Sequence, residues 1–312
     1  MCIARSILVF SFLLANLAKA DSPTHGSIFI GSSASGLHFL SRLDYDYDGA
    51  GHLTTSTPTW QRGLGYNVYG YNYVVAGGYL ILVGAGASAR VQIGTGTLVS
   101  ANPNNTGNMV ALAPDRATVW TGWKNTPLAS IPVSPFADGT THAVSGDDTF
   151  ATQIAFTPAN GVFYTTGDNN PAVKGNVGRI DLATFQTTRL IGDTEATGIH
   201  YDPFSASVIF AAAAKAHQID AANPAVVISS RDDSASENYL DLAPDGFGHL
   251  LGVRLSDAAC HNPASTLVLI DYSATGLIGD PSTHYASAPL NVPGCATGLG
   301  IDAVLFANGF DP

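Results

Sequence analysis

The sequence predicts an all-β protein folded as a six-bladed β-propeller, with seven blades as the alternative count. Two observations carry that reading. Four segments share one pattern, apolar-x-apolar-x-Pro followed by a short turn and an apolar strand: VALAPDRATVWTG, IAFTPANGVFYTTG, IHYDPFSASVIFAA and LDLAPDGFGHLLGV. Their prolines, Pro114, Pro158, Pro203 and Pro244, are 44, 45 and 41 residues apart, close to the length of one four-stranded blade. Downstream of each copy comes a second apolar strand that often closes on Ile-Asp, as at Asp181, Asp220 and Asp271. Short alternating runs punctuated by Gly, Pro, Asn and Asp read as strands rather than helices.

Taken in chain order, residues 1–20 read as a secretory leader. Arg5 precedes the apolar run ILVFSFLLANLA, and Ala18-Lys19-Ala20 supplies the small-x-small pattern of a cleavage site. The run is shorter than the roughly 20 residues of a spanning helix and does not recur, so a soluble periplasmic or extracellular protein without a membrane span is expected. Loss of Arg5 and Lys19 makes the formal net charge of −11 two units more negative. Such a surface repels phosphate backbones, which argues against nucleic acid and anionic membranes as partners. A charged fraction of 12% with 33 Gly and 17 Pro fits a turn-rich globular chain.

Residues 21–312 then form one domain. A looser copy of the first element, YVVAGGYLILVGA, starts at Tyr73, and GLGIDA starts at Gly298. Weaker forms of the second element stand at SRLDYDYDGAG, ARVQIGTGTLV and ASIPVSPF, which gives six copies of each. One blade cannot bury both of its faces, so blades pack face to face around an axis. The chain opens on the second-strand pattern GSIFIGS at Gly26 and closes on the inner-strand pattern TGLGIDA from Thr297. The C-terminal strand is therefore expected to complete the N-terminal blade and latch the ring. Cys260 and Cys295 survive leader removal, and in an oxidising compartment an even pair is most simply a disulfide.

The Pro-turn-strand unit followed by Ile-Asp resembles YVTN-type and related NHL or lactonase-like propellers across nearly the whole of residues 21–312. The resemblance is at the level of the repeat and implies fold rather than activity. The final LFANGFDP, within a tail at 304–312, resembles a short C-terminal tail of secreted proteins in some gammaproteobacteria.

Three regions are candidates for function. In LDYDYDGAGH, Asp44, Asp46 and Asp48 alternate ahead of Gly49, as in the front half of a calcium loop. The position for a closing bidentate Glu holds Thr55, and a shorter loop would need an acid where His52 stands. The competing reading makes Asp44 the Ile-Asp acid of the repeat and Asp48-Gly49 a hairpin turn, which leaves only Asp46 to calcium or another divalent cation.

The second region is the channel mouth. Glu occurs twice in the chain, as Glu195 and Glu237, eight and seven residues before a repeat proline. Asn105 and Asp148 hold comparable places. Four oxygen-bearing side chains at one mouth could hold a cation that polarises a carbonyl, as in lactonase-like propellers, or could be polar loop caps. The third is GYNVYGYNYVV, where Tyr66 and Tyr69 are candidates for stacking on a sugar or other flat ligand, and Tyr71 and Tyr73 for packing between blades. His200 reads as a half-buried structural histidine. No nucleophile elbow, zinc helix, P-loop or dinucleotide fingerprint is present. The expectation is an exported monomer that binds a protein or glycan, with a metal-dependent hydrolase or lyase as the alternative.

Overall fold

The structure is a computed structural model that describes residues 23–64, 72–107, 109–123, 126–159, 161–167, 174–194, 196–212, 214–233, 238–255 and 265–302. Every regular element among them is a strand. The N-terminal strands are β1 (Thr24–Ala34), β2 (Leu37–Tyr47), β3 (Leu53–Thr55) and β4 (Trp60–Leu64). Next come β5 (Asn72–Ala76), β6 (Tyr79–Val83), β7 (Ser88–Gln92) and β8 (Leu98–Asn102), then β9 (Met109–Leu112), β10 (Thr118–Trp123), β11 (Thr126–Pro132) and β12 (Thr140–His142). They are followed by β13 (Ser145–Gly146), β14 (Gln153–Phe156), β15 (Val162–Thr165), β16 (Gly175–Asp181) and β17 (Gln186–Thr194). The last three groups are β18 (Ala196–Asp202), β19 (Ser207–Ala212), β20 (Lys215–Asp220) and β21 (Val227–Asp232); β22 (Asn238–Pro244), β23 (His249–Leu255), β24 (Ser265–Asp271) and β25 (His284–Pro289); and β26 (Cys295–Ile301).

Hydrogen bonding sorts these strands into a propeller arrangement. Four sheets stand as separate blades: β9 to β12, β14 to β17 with β13 added on its edge, β18 to β21, and β22 to β25. The remaining strands do not form the separate four-stranded units that the repeat predicts. They run together into one nine-stranded sheet in the order β3-β2-β1-β26-β5-β6-β7-β8, with β4 also on β2.

The junction is β26. It pairs antiparallel with β1, from Ile28 opposite Ile301 to Ser33 opposite Cys295, and parallel with β5 through Leu299 and Gly300 opposite Asn72 and Tyr73. Gly300 permits that second approach: a Cβ there would stand 2.7 Å from the Tyr73 Cβ and 2.8 Å from its carbonyl oxygen.

Burial follows a strand's place in its sheet. Middle strands such as β15 and β19 are buried at every position, because neighbouring sheets cover both faces. Outer strands such as β21 and β25 alternate with solvent.

The core among the described residues divides into clusters, most of them between consecutive sheets and one within the nine-stranded sheet. Ala155 and Phe163, for example, meet Ile199, Val208 and Phe210. The last sheet meets the N-terminal strands in the same way, Leu251, Leu267 and Leu269 packing on Ile28, Ile30 and Leu43. Each such fully buried side chain is worth roughly 1.5–3 kcal/mol. Innermost strands also lie next to one another in sequence, β5 by β9, β9 by β14, β14 by β18, β18 by β22 and β22 by β26.

Candidate functional site

Residues of the innermost strands β5, β9, β14, β18, β22 and β26 line a cavity of about 490 Å³. Its walls are mainly hydrocarbon, with Val74, Leu112, Phe156, Tyr201 and Ile301 as half-buried contributors. The alternation of the repeat explains this: residues two before Pro114, Pro158 and Pro203 are Leu112, Phe156 and Tyr201. One rim is built by turns that follow the innermost strands, through Arg116, Pro203, Pro244 and Phe247. The volume lies within the range of small-molecule sites.

Polar side chains tie the innermost strands together. Asn72 Oδ1 accepts the backbone N–H of Val110 at 2.7 Å, and Gln153 Oε1 accepts that of Ile199 at 3.1 Å. Both residues are buried, so these bonds satisfy backbone donors that face the adjoining sheet.

A third link joins β18 to β22. His200 Nε2 lies 3.0 Å from Asp241 Oδ1, which also accepts the Leu242 N–H at 2.8 Å. The Asp241 side chain is 0% exposed, while His200 is 24% exposed and lines the cavity. Two copies of the repeat carry Ala111 and Ala155 three residues before proline, where β18 and β22 carry His200 and Asp241. That contrast is the signal in the sequence, and it is easily missed because a lone histidine in a strand reads as structural.

The residues expected at the channel mouth do different work where they are described. Asn105 is buried and clamps a loop: its Nδ2 donates to the Ala137 carbonyl at 2.9 Å and its Oδ1 accepts the Gly139 N–H at 2.7 Å. Asp148 accepts from Tyr164 Oη at 2.5 Å, Asn176 Nδ2 at 2.7 Å and an Arg189 guanidinium nitrogen at 2.9 Å. Burial alone would raise its pKa, but these bonds from Arg189, Tyr164 and Asn176 outweigh it and hold the carboxyl below the usual range. Burial, followed by the bond to Asp148, pushes the Tyr164 hydroxyl well above its ordinary value. Among the described residues, Asn105 and Asp148 share no bonding partner. Glu195, Glu237, Tyr66 and Tyr69 lie outside the described residues. Tyr73 is buried among Phe29, Leu40 and Val75.

The acidic stretch forms the end of β2 and the turn after it. Asp44 accepts from Ser27 Oγ at 2.7 Å, and Arg42 lies 3.8 Å away. Asp48 folds onto its own turn: Oδ1 accepts the N–H groups of Ala50 and His52 at 2.7 and 3.0 Å, and Oδ2 lies 2.8 Å from His52 Nδ1. Backbone bonds from His52 and Ala50 lower its pKa. Gly49 and Gly51 adopt φ of 77° and 99°, which a side chain would resist. Asp46 is exposed. Among the described residues, no group of three or more His, Cys, Asp or Glu is placed to hold a metal ion. Cys295 is buried at the start of β26, and Cys260 lies outside the described residues.

No family model matches the chain, and no curated protein matches it. Solved structures do. A protein of unknown function from Bacteroides caccae aligns at 11% identity over 89% of this chain and 99% of its own, with a TM-score of 0.61. A chain described as TolB from Agrobacterium tumefaciens aligns at 12% identity over 87% of this chain and 100% of its own, with a TM-score of 0.49. The extracellular domain of a chain described as a one component system from B. thetaiotaomicron aligns at 14% identity and a TM-score of 0.47. There the alignment covers 78% of this chain but only 32% of the other's length. At these identities the likeness concerns the fold alone.

Proposed function

We propose that this protein is an exported propeller that binds a small ligand in its central cavity. The observation that carries the reading is the cavity itself, about 490 Å³ and lined by residues of the innermost strands, with a few polar groups set in apolar walls. In this reading the nine-stranded sheet is two blades joined along β26, so the ring has six blades and is closed by the C-terminal strand. The inter-sheet clusters support that count, since they run from Phe29 with Tyr73 round to Leu269 with Ile28. Cys260 and Cys295 pair as a disulfide near the closure, which intact-mass measurement with and without reductant would check. The leader-like pattern read in residues 1–20 supports export, and no helix among the described residues is long and apolar enough to cross a membrane.

The test is a thermal-shift screen of small molecules on the wild type and on Leu112→Trp, which fills the cavity. Compounds that stabilise the wild type and lose their effect on the variant support the site. Compounds that stabilise both equally bind elsewhere and refute it.

A further inference from the structure

We infer that the cavity takes a small organic anion with an apolar body, anchored at the rim by Arg116; this rests on the reading of the cavity as a binding site. The walls set the body of the ligand. Leu112, Phe156, Tyr201, Phe247 and Ile301 offer hydrocarbon and ring surface, which favours a ligand that sheds apolar area from water.

Arg116 sets the charge. It lines the cavity, is exposed, and sits at φ 54° in the turn after β9, where its backbone N–H donates to the Ala113 carbonyl at 2.9 Å. Its neighbour Asp115 does not neutralise it. That carboxylate turns back on its own loop, accepting the N–H groups of Ala117 and Thr118 and the Thr118 hydroxyl, each at 2.9 Å.

Other described arginines are committed to the fold, except Arg179, which is exposed and stands over the Phe163 ring away from the cavity lining. Arg42 bonds Ser27, Arg90 bonds Ser100 and the Val133 carbonyl, Arg189 bonds Asp148, Arg231 bonds Asp233, and Arg254 bonds the Tyr285 hydroxyl. Arg116 makes no side-chain hydrogen bond or ion pair among the described residues. A guanidinium left in this state at the rim of an apolar cavity, on a chain with net charge −11, is a donor fork without an acceptor.

The remaining charged group in the lining, Asp245, is buried. Its oxygens are engaged by the N–H groups of Phe247 and His249 and by His249 Nδ1, which turn it toward its own loop. His200, held through Nε2 by buried Asp241, supplies a second polar group on the wall.

The test uses two probes with the same ring system, 1-anilinonaphthalene-8-sulfonate and the uncharged N-phenyl-1-naphthylamine, read by fluorescence on the full-length protein. The wild type should bind both, each displacing the other. Arg116→Gln should weaken the sulfonate about tenfold, the worth of a charge-assisted contact at a partly exposed site. It should leave the neutral probe unchanged, and Arg116→Lys should restore part of the loss. Raising the salt concentration should weaken the sulfonate on the wild type and not on Arg116→Gln.

If Arg116→Gln binds both probes as the wild type does, while Leu112→Trp binds neither, the anion assignment is overturned and the cavity site stands. If both probes bind Leu112→Trp as they bind the wild type, the cavity reading itself fails. Should Leu112→Trp not fold, failure of the two probes to compete on the wild type overturns the cavity reading in its place.

Discussion

Two turns in this molecule have the same chemistry in opposite surroundings. DGAGH at Asp48–His52 joins β2 to β3, and DGFGH at Asp245–His249 joins β22 to β23. In each, Asp Oδ1 accepts the N–H groups of the third and fifth residues, and Oδ2 lies 2.8 Å from the His Nδ1. Both glycines of each take positive φ. The His52 side chain is 82% exposed, whereas that of His249 is 1% exposed.

Around His249 lie Tyr47, edge-on at 5.9 Å, and Asp271, whose Oδ1 is 3.8 Å from Nε2, while Thr24 donates weakly to Asp245 at 3.4 Å. One turn is a local device for reversing a hairpin. The other joins the last separate sheet to the N-terminal strands, because Thr24 and Tyr47 belong to β1 and β2. The same five-residue pattern thus gains a long-range role through its neighbours alone.

Four substitutions would break or sharpen this contrast. His249→Ala leaves the carboxylates of Asp245 and Asp271 buried without the imidazole between them, and should destabilise the fold by about 3–5 kcal/mol in urea unfolding. A loss under about 1 kcal/mol would show that burial adds nothing to this turn.

Asp148→Ala is an intermediate case, since Asp148 is nearly buried but its partner Arg189 is 45% exposed. Leaving Tyr164 and Asn176 without their acceptor should cost about 1–3 kcal/mol. Because the folded carboxyl is held below its ordinary value, the wild-type advantage should be full above about pH 4 and shrink as pH falls through the depressed folded value. An advantage that grows on acidification would contradict the assignment.

Asp48→Ala should leave the unfolding midpoint nearly unchanged, as its bonds compete with water. A shift matching that of His249→Ala would erase the distinction between the turns.

Asp46→Ala should have the smallest effect, with calcium or chelator leaving both proteins alike. A wild-type midpoint that rises with calcium while the variant's stays fixed would instead give Asp46 a metal.

Much of the architecture was legible because strand alternation and the Pro114 to Pro244 spacing are local properties of the chain. The pairing of β26 with β1 could be anticipated from two half-patterns at opposite ends. The continuous sheet through β26 and β5 could not, since it depends on how closely Gly300 meets Tyr73, a contact between segments over two hundred residues apart. The site was less legible. Asn105 and Asp148 were conspicuous as polar residues before a proline, yet position along the chain does not reveal whether a neighbouring loop will claim a side chain. Arg116 and Asp241 carried a usable signal, a charged residue in a turn and an acid where other copies have alanine. It gains meaning only when the innermost strands are set around one cavity.

Because β26 lies between β1 and β5, the earliest sheet in the chain stays short of a neighbour until almost all of the polypeptide is available. Pairing of such high sequence separation slows assembly, since the closing entropy must be met before the contact can reward it. A nascent or truncated chain lacking Cys295–Ile301 would present two raw edges at once, and with them two invitations to pair with the wrong strand.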